Sequence, residues 1–207
     1  MIHALISARS YQTQHPQPPL HTALFIEQPL SRFMVLIATV FPPQTTIGYA
    51  YSDSALFPVS AVVAAAQKRG ISVQTTVVSE ESEITKRLAT LLPTVDLLLL
   101  LPDNRLLNRH TARGIILQAY QQKIPLLTYS ESLVKAGGGL ALFSTVEEQG
   151  EEVAEMVATI SAGGVVPPPS YPRKFSVAVN YQLVKNIGLE LDEEEKLKWA
   201  VMQEESR

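Results

Sequence analysis

Hydrophobic and polar positions alternate along this chain with two different periods, and the switch between periods marks out its elements. The clearest stretch is Val95 to Arg105, VDLLLLLPDNR. Its apolar run from Val95 to Leu101 is far too short to span a membrane but suits a strand buried on both faces, the kind found inside a parallel sheet. Pro102-Asp103-Asn104 ends the run and leads into a segment that reads as a helix over Arg105–Gln122. Upstream, Thr22–Ile26 predicts a strand. Leu30, Phe33, Met34, Ile37 and Phe41 recur at helical spacing and form one apolar stripe, stopped by Pro42-Pro43. Thr45–Tyr51 reads as a strand and Ala55–Arg69 as a helix closed by Gly70. Ile71–Val78, rich in β-branched residues, reads as the next strand. A helix from Ser79 to about Leu92 follows, begun by a polar cap and an acidic first turn.

Beyond the central strand, Ile124–Tyr129 and Leu140–Ser144 predict two more strands. A short helix opened by Ser130-Glu131-Ser132 and closed by Gly137-Gly138-Gly139 separates them. Thr145 with Glu148 fits a capping box for a helix reaching about Ala162. The proline-rich segment from Val166 to Pro172 should run extended. A weak strand over Phe175–Val179, a helix over Tyr181–Ile187 and a charged helix carrying Trp199 complete the chain. At the other end, Met1–Tyr11 reads as a short helix and the stretch with Pro16, Pro18 and Pro19 as a loop. Strand–helix alternation of this regularity implies an α/β protein with a doubly wound, flavodoxin-like parallel sheet.

Composition adds exclusions. A hydrophobic fraction of 46% with 18% charged residues describes an ordinary globular protein. The formal net charge of -3, without a basic run, gives no electrostatic reason to expect nucleic acid. The absence of cysteine removes disulfides, thiol catalysis and Cys-based metal sites. His3, His15, His21 and His110 show no metal-ligand spacing, so neither a metal nor a cofactor is expected. The glycine triplet precedes a strand rather than following one, which argues against a phosphate cradle. The first twenty residues lack the basic and apolar regions of a signal peptide, and no segment is long enough to insert in a membrane.

Three polar clusters stand at the ends of three strands: Ser52/Asp53/Ser54, Asp103/Asn104 and Ser130/Glu131/Ser132. Each reads singly as a helix cap. In a doubly wound sheet the carboxyl ends of the strands converge on one edge, so together they could line a cleft for a small polar or zwitterionic solute. No nucleophile–base pair is visible, which makes catalysis the least favoured use of such a cleft.

Several longer stretches resemble the substrate-binding proteins of ABC transporters with a type 1 periplasmic-binding fold, in particular the ABC_sub_bind group. They are IEQPLSRFMVLIATVFP (26–42), TIGYAYSDS (46–54), VDLLLLLPDN (95–104), IPLLTYSESLVKAGGGLAL (124–142) and YPRKFSVAVNYQLVKNIGLEL (171–191). The resemblance implies a non-enzymatic solute-binding component of an importer. Two α/β lobes would trap the solute, for instance an amino acid, by hinge closure, with an ABC permease as partner. By position it implies Ser52, Ser54, Asp103, Asn104, Ser130 and Glu131 as ligand-side residues. It also implies residues 29–144 as the second lobe, residues 1–28 as a remnant of the first, and 145–207 as a crossing segment and helices returning to the first lobe. Typical members carry a longer segment ahead of the part matching Thr22. The expectation is therefore a truncated first lobe whose uncovered apolar surface favours a homo-oligomer. The alternative is a regulatory or protein-interaction domain, dimeric, built on the same lobe. The family would place the protein in the periplasm or cell envelope; a true start at Met1 would place it in the cytoplasm.

Overall fold

The computed structural model describes residues 1–14 and 21–205. The predicted proline loop and His15 lie outside them. The described residues form two compact units: residues 1–29 with 143–176, and residues 30–142 with 177–207.

The smaller unit begins with strand β1 (Ile2–Ile6), helix α1 (Ala8–Gln14) and strand β2 (Thr22–Phe25). The strand at Ile2–Ile6 corrects the helix expected over Met1–Tyr11. The segment pairs in parallel with β2, Ile2 opposite Thr22 and Ala4 opposite Leu24, so a long-range ladder overrides local helix propensity. β2 is fully buried and takes a second neighbour from far along the chain. Ser170 donates its N–H to the Ala23 carbonyl and accepts from the Phe25 N–H, both at 2.9 Å. Ala8, Tyr11, Ala23 and Phe25 form the core, with Tyr171 packed against it. The Phe25 and Tyr171 rings meet edge-on at 5.1 Å.

One long helix, α7 (Val146–Ser161), belongs to this unit, and its predicted capping box is present. Thr145 Oγ1 accepts from the Glu148 N–H at 3.1 Å while Glu148 Oε2 accepts from the Thr145 N–H at 2.8 Å. Further along α7, the buried Glu152 accepts from the backbone N–H groups of Arg173 and Lys174, at 3.0 and 2.6 Å, and so ties the extended segment to the helix. Its second oxygen-bearing neighbour on this face, Glu155, is held below the usual carboxylate range by hydrogen bonds first from Lys174 and then from Arg173.

The larger unit carries a six-stranded sheet. Its strands are β3 (Thr46–Tyr51), β4 (Ser72–Val77), β5 (Leu97–Leu99), β6 (Leu126–Thr128), β7 (Leu140–Phe143) and β8 (Ser176–Val179). Their spatial order is β4-β3-β5-β6-β7-β8, and the registers of β3 with β4 and β5, β5 with β6, and β6 with β7 are all parallel. That is the flavodoxin-like winding order, in which the chain reverses direction across the sheet between its first and third strands, here β3 and β5. The predicted apolar run is the centre of the core: Leu97, Leu98 and Leu99 are fully buried, and Leu100 and Leu101 continue almost as deeply. Gly48 in β3 permits this packing, because a Cβ there would meet Val95, Leu91 and Leu98 at 3.2–3.3 Å.

Helices α2 (Leu30–Val40), α3 (Val59–Gln67), α4 (Ile84–Leu91), α5 (Ala112–Gln121), α6 (Glu131–Lys135), α8 (Tyr181–Asn186) and α9 (Glu194–Glu205) complete this unit. Three begin later than the sequence suggests, α4 because a 3-10 turn over Glu81–Glu83 precedes it. α3 waits for Pro58, whose ring disfavours helical geometry in Phe57 before it. α5 begins seven residues after the predicted Arg105 because side chains capture the intervening backbone. Asn108 Oδ1 accepts from the N–H groups of His110 and Thr111, at 2.9 and 3.3 Å, and Thr111 Oγ1 donates to the Leu106 carbonyl at 2.5 Å. The glycine triplet ends α6: Gly137 has φ of +115° and the Gly138 N–H bonds back to the Leu133 carbonyl at 2.8 Å. The last helix is anchored on α2 by Arg32, which gives its Nε–H to both oxygens of Glu205, at 2.8 and 2.9 Å.

Candidate functional site at the strand ends

The winding order makes the gap between the carboxyl ends of β3 and β5 the place where loops diverge to opposite faces of the sheet and leave a crevice. The sequence puts Ser52 at one lip and Asp103 at the other. The structure joins them. Asp103 is buried, and its Oδ2 accepts from the Ser52 N–H at 2.7 Å while its Oδ1 accepts from the Ser52 hydroxyl, also at 2.7 Å. The same Oδ1 accepts from the N–H groups of Arg105 and Leu106, at 3.0 and 3.2 Å. The Ala55 and Asp103 backbones form an antiparallel bridge, and the Leu56 N–H donates to the Pro102 carbonyl at 2.9 Å. One carboxylate thus fixes the two loops that frame the crevice.

Ser54 belongs to the same assembly. Its N–H donates to Ser52 Oγ at 3.0 Å and its hydroxyl to Asp53 at 3.3 Å. Asn104 is exposed beside it, with its carbonyl accepting from the Asn108 amide at 3.3 Å. Ser130 and Glu131 sit at the end of the next strand, β6. Ser130 caps α6, accepting from the Leu133 N–H at 3.4 Å, and shares a hydrogen bond with Ser132 Oγ at 3.0 Å. Glu131 makes an exposed pair with Lys135 at 2.7 Å.

Tyr129 directly precedes Ser130 and lies within electrostatic reach of Asp103. Burial raises its phenol above the ordinary tyrosine range, and the Asp103 carboxylate nearby raises it further. Tyr49 is raised by the same two causes in the same order, with Tyr51 adding to them. Tyr49 is buried, donates its hydroxyl to the Phe57 carbonyl at 2.8 Å and stacks on Tyr51 with ring centroids 5.7 Å apart. The strand ends therefore combine hydroxyls, a carboxylate and aromatic faces. Arg105 adds a cation. Its guanidinium pairs with Asp53 at 2.9 Å and also donates to the Ser79 carbonyl.

The tyrosines and Arg105 were not among the residues picked from sequence. All but Tyr49 stand directly beside one that was: Tyr51 before Ser52, Arg105 after Asn104, Tyr129 before Ser130. The signal was present as adjacency to strand ends, but an aromatic in a strand reads as core until its neighbours are known. Among the described residues no cluster of three or more His, Asp and Glu could hold a metal ion. His110 lies in the turn before α5 rather than in that helix, and accepts from Arg109 Nε at 2.9 Å.

The sequence profile of the ABC transporter substrate binding protein family matches residues 22–200. The chain belongs to that family. Its members bind solutes rather than transform them, and they are usually extracytoplasmic. No helix among the described residues is long and apolar enough to cross a membrane. Comparison with curated protein sequences finds no match. Solved structures share the fold. A substrate-binding protein with adhesive properties from Clostridium difficile, in its ligand-free open form, superposes with a TM-score of 0.74 at 20% identity, covering 93% of this chain and 68% of that one. An ABC domain from Streptococcus pneumoniae in complex with L-Trp gives 0.71 at 20% identity, with the same two coverages of 93% and 68%. A conserved domain protein from Vibrio cholerae gives 0.66 at 21% identity and covers 88% of this chain. This chain spans 61% to 68% of the length of these three proteins. The fold is thus that of type 1 periplasmic-binding proteins, as the sequence resemblance implied.

Proposed function

We propose that this chain is the solute-binding part of an ABC-type importer and that its solute docks at the strand ends of the larger unit. The observation that carries the reading is the Ser52–Asp103 brace at the reversal point of the sheet, the position where open α/β sheets take their ligands. In this reading Asp103 holds the frame, since its oxygens already accept four hydrogen bonds. Ser54, Asn104, Ser130 and Glu131 offer polar groups to the solute, and Tyr51 and Tyr129 offer aromatic surface. Such a lining suits an amino acid with an apolar side chain: acceptors for its ammonium, hydroxyl and amide donors for its carboxylate, ring faces for the rest. The relative from S. pneumoniae holds L-Trp, a molecule of this class. An ABC permease is the corresponding protein partner, and the cell envelope the corresponding location.

The test is thermal unfolding of the protein against a panel of amino acids, aromatic ones included, and small organic anions. A solute present at about 100 times its Kd stabilises by about 2.7 kcal/mol, which moves the melting temperature by several degrees. Ser54→Ala and Glu131→Gln should each weaken that shift with little change in the solute-free melting temperature. A panel that produces no shift at saturating concentrations overturns the solute-binding reading for this chain.

A further inference from the structure

β4 is the outermost strand of the six-stranded sheet, and among the described residues it has none of the features that usually blunt an edge. Its sequence, Ser72-Val73-Gln74-Thr75-Thr76-Val77, contains no charge, no proline and no glycine. It pairs with β3 over all six residues without a bulge. Native sheets generally protect such an edge with lysine, proline, a bulge or a covering element.

The ladder fixes which backbone groups face outward. The N–H groups of Ser72 and Val78 donate inward, to the carbonyls of Thr45 and Tyr51. Alternation along the strand then turns the N–H and carbonyl groups of Val73, Thr75 and Val77 toward the open side. Ser72, Gln74, Thr75 and Val77 are exposed, Val77 to 45%.

Charge flanks the strand asymmetrically. Lys68 precedes it and Glu80 follows it, whereas Arg69, Glu81 and Glu83 are already engaged by Glu204, Asn108 and Arg87. A second copy laid antiparallel brings the basic end of each strand beside the acidic end of the other, whereas a parallel copy sets like charges together.

We infer that β4 is a homodimer edge, pairing antiparallel with β4 of a second copy about a two-fold axis at Thr75. That register places Thr75 opposite its own copy and Val73 opposite Val77 on each side. All three outward-facing residues then meet in hydrogen-bonded pairs, for about six inter-strand bonds. The facing side chains are Thr–Thr and Val–Val, both favourable across strands. The interface is isologous, as closed dimers require, and it makes one twelve-stranded sheet from two. It goes beyond the solute-binding reading and does not depend on it, because the strand-end site lies at the carboxyl ends of β3, β5 and β6.

The chain has no cysteine, so a single introduced thiol reports the register without background. Thr75→Cys should form a disulfide-linked dimer under mild oxidation, since residues facing each other across an axis fall within disulfide reach. Gln74→Cys, which points to the other face and away from its own copy, should cross-link far less. In sedimentation equilibrium the unsubstituted protein should show a concentration-dependent monomer–dimer balance. Thr75→Pro, at a position whose N–H faces solvent in the monomer, and Thr75→Lys, which sets two ammonium groups face to face, should each weaken the dimer by about tenfold or more. Lys68→Glu should weaken it at low salt, and the added exchange Glu80→Lys should restore it. A protein that stays monomeric at all concentrations overturns the inference. So does a dimer indifferent to both Thr75→Pro and Thr75→Lys when both variants keep the native circular dichroism spectrum.

Discussion

Two polar clusters of the larger unit look alike in sequence and differ in physical role. Ser52-Asp53-Ser54 and Ser130-Glu131-Ser132 are both hydroxyl–carboxylate–hydroxyl triplets directly after a buried strand. The first is drawn inward at Ser52, while Asp53 and Ser54 stay exposed. Ser52 is 4% exposed, because the strand it follows borders the reversal point and Asp103 reaches across from β5 to hold it. The second stays outside, capping a five-residue helix and pairing Glu131 with Lys135 in solvent. A polar triplet after a strand therefore marks a helix start wherever it occurs. It becomes part of the framework only where the topology brings a second loop against it.

The comparison predicts a graded set of costs. Asp103→Ala should have the largest effect, removing the acceptors of four hydrogen bonds at a buried site and destabilising the protein by about 3–4 kcal/mol in urea titration. A loss below 1 kcal/mol would show the two loops held by something else. Ser52→Ala, which keeps the backbone bond to Asp103 but removes the hydroxyl that links it to Ser54, should cost about 1–2 kcal/mol. Ser130→Ala removes a side-chain cap with a long bond of 3.4 Å and should cost about 0.5–1 kcal/mol. Glu131→Gln removes an exposed pair one helical turn long and should change stability by at most about 0.5 kcal/mol, a difference that added salt erases. Reversal of the Ser52 and Ser130 effects would break the distinction between framework and cap.

The smaller unit supplies a contrast in pH. Glu27 is buried, with Oε1 accepting the Ala8 N–H at 2.7 Å, and burial raises its carboxyl above the ordinary range despite that bond. The folded state then holds a proton at pH values where the unfolded chain has lost it, so this residue's contribution to stability falls as pH rises. Glu27→Gln keeps an acceptor for Ala8. The variant should be more stable than the unsubstituted protein at neutral pH, with the gap closing on acidification below the usual carboxylate range.

Much of this architecture was legible because it is local. The Thr145–Glu148 capping box needs only four residues, and the all-leucine β5 announces itself by burial on both faces. What escaped was set by distant partners. Ile2–Ile6 becomes a strand only through β2, and Phe25 finds Ser170 across more than half the chain. Asp103 reads locally as a turn residue, and its turn bonds to Arg105 and Leu106 are real. Its bonds to Ser52, fifty-one positions away, come from the strand order, which no window of sequence contains. The late start of α5 was missed for the opposite reason: Asn108 and Thr111 act within a few residues, but their side-chain bonds compete with a helical pattern that looks continuous.

The division of the chain also bears on how the protein is made. The larger unit has β3 to β7 in hand once residue 143 has been synthesised, while β2 of the smaller unit still lacks the neighbour that Ser170 provides. A two-stranded sheet of β1 and β2 is marginal by itself. During synthesis the pair of β1 and β2 thus waits on a segment that emerges well over a hundred residues later. In that interval β1 and β2 are a weakly held part of the nascent chain, open to proteases and chaperones.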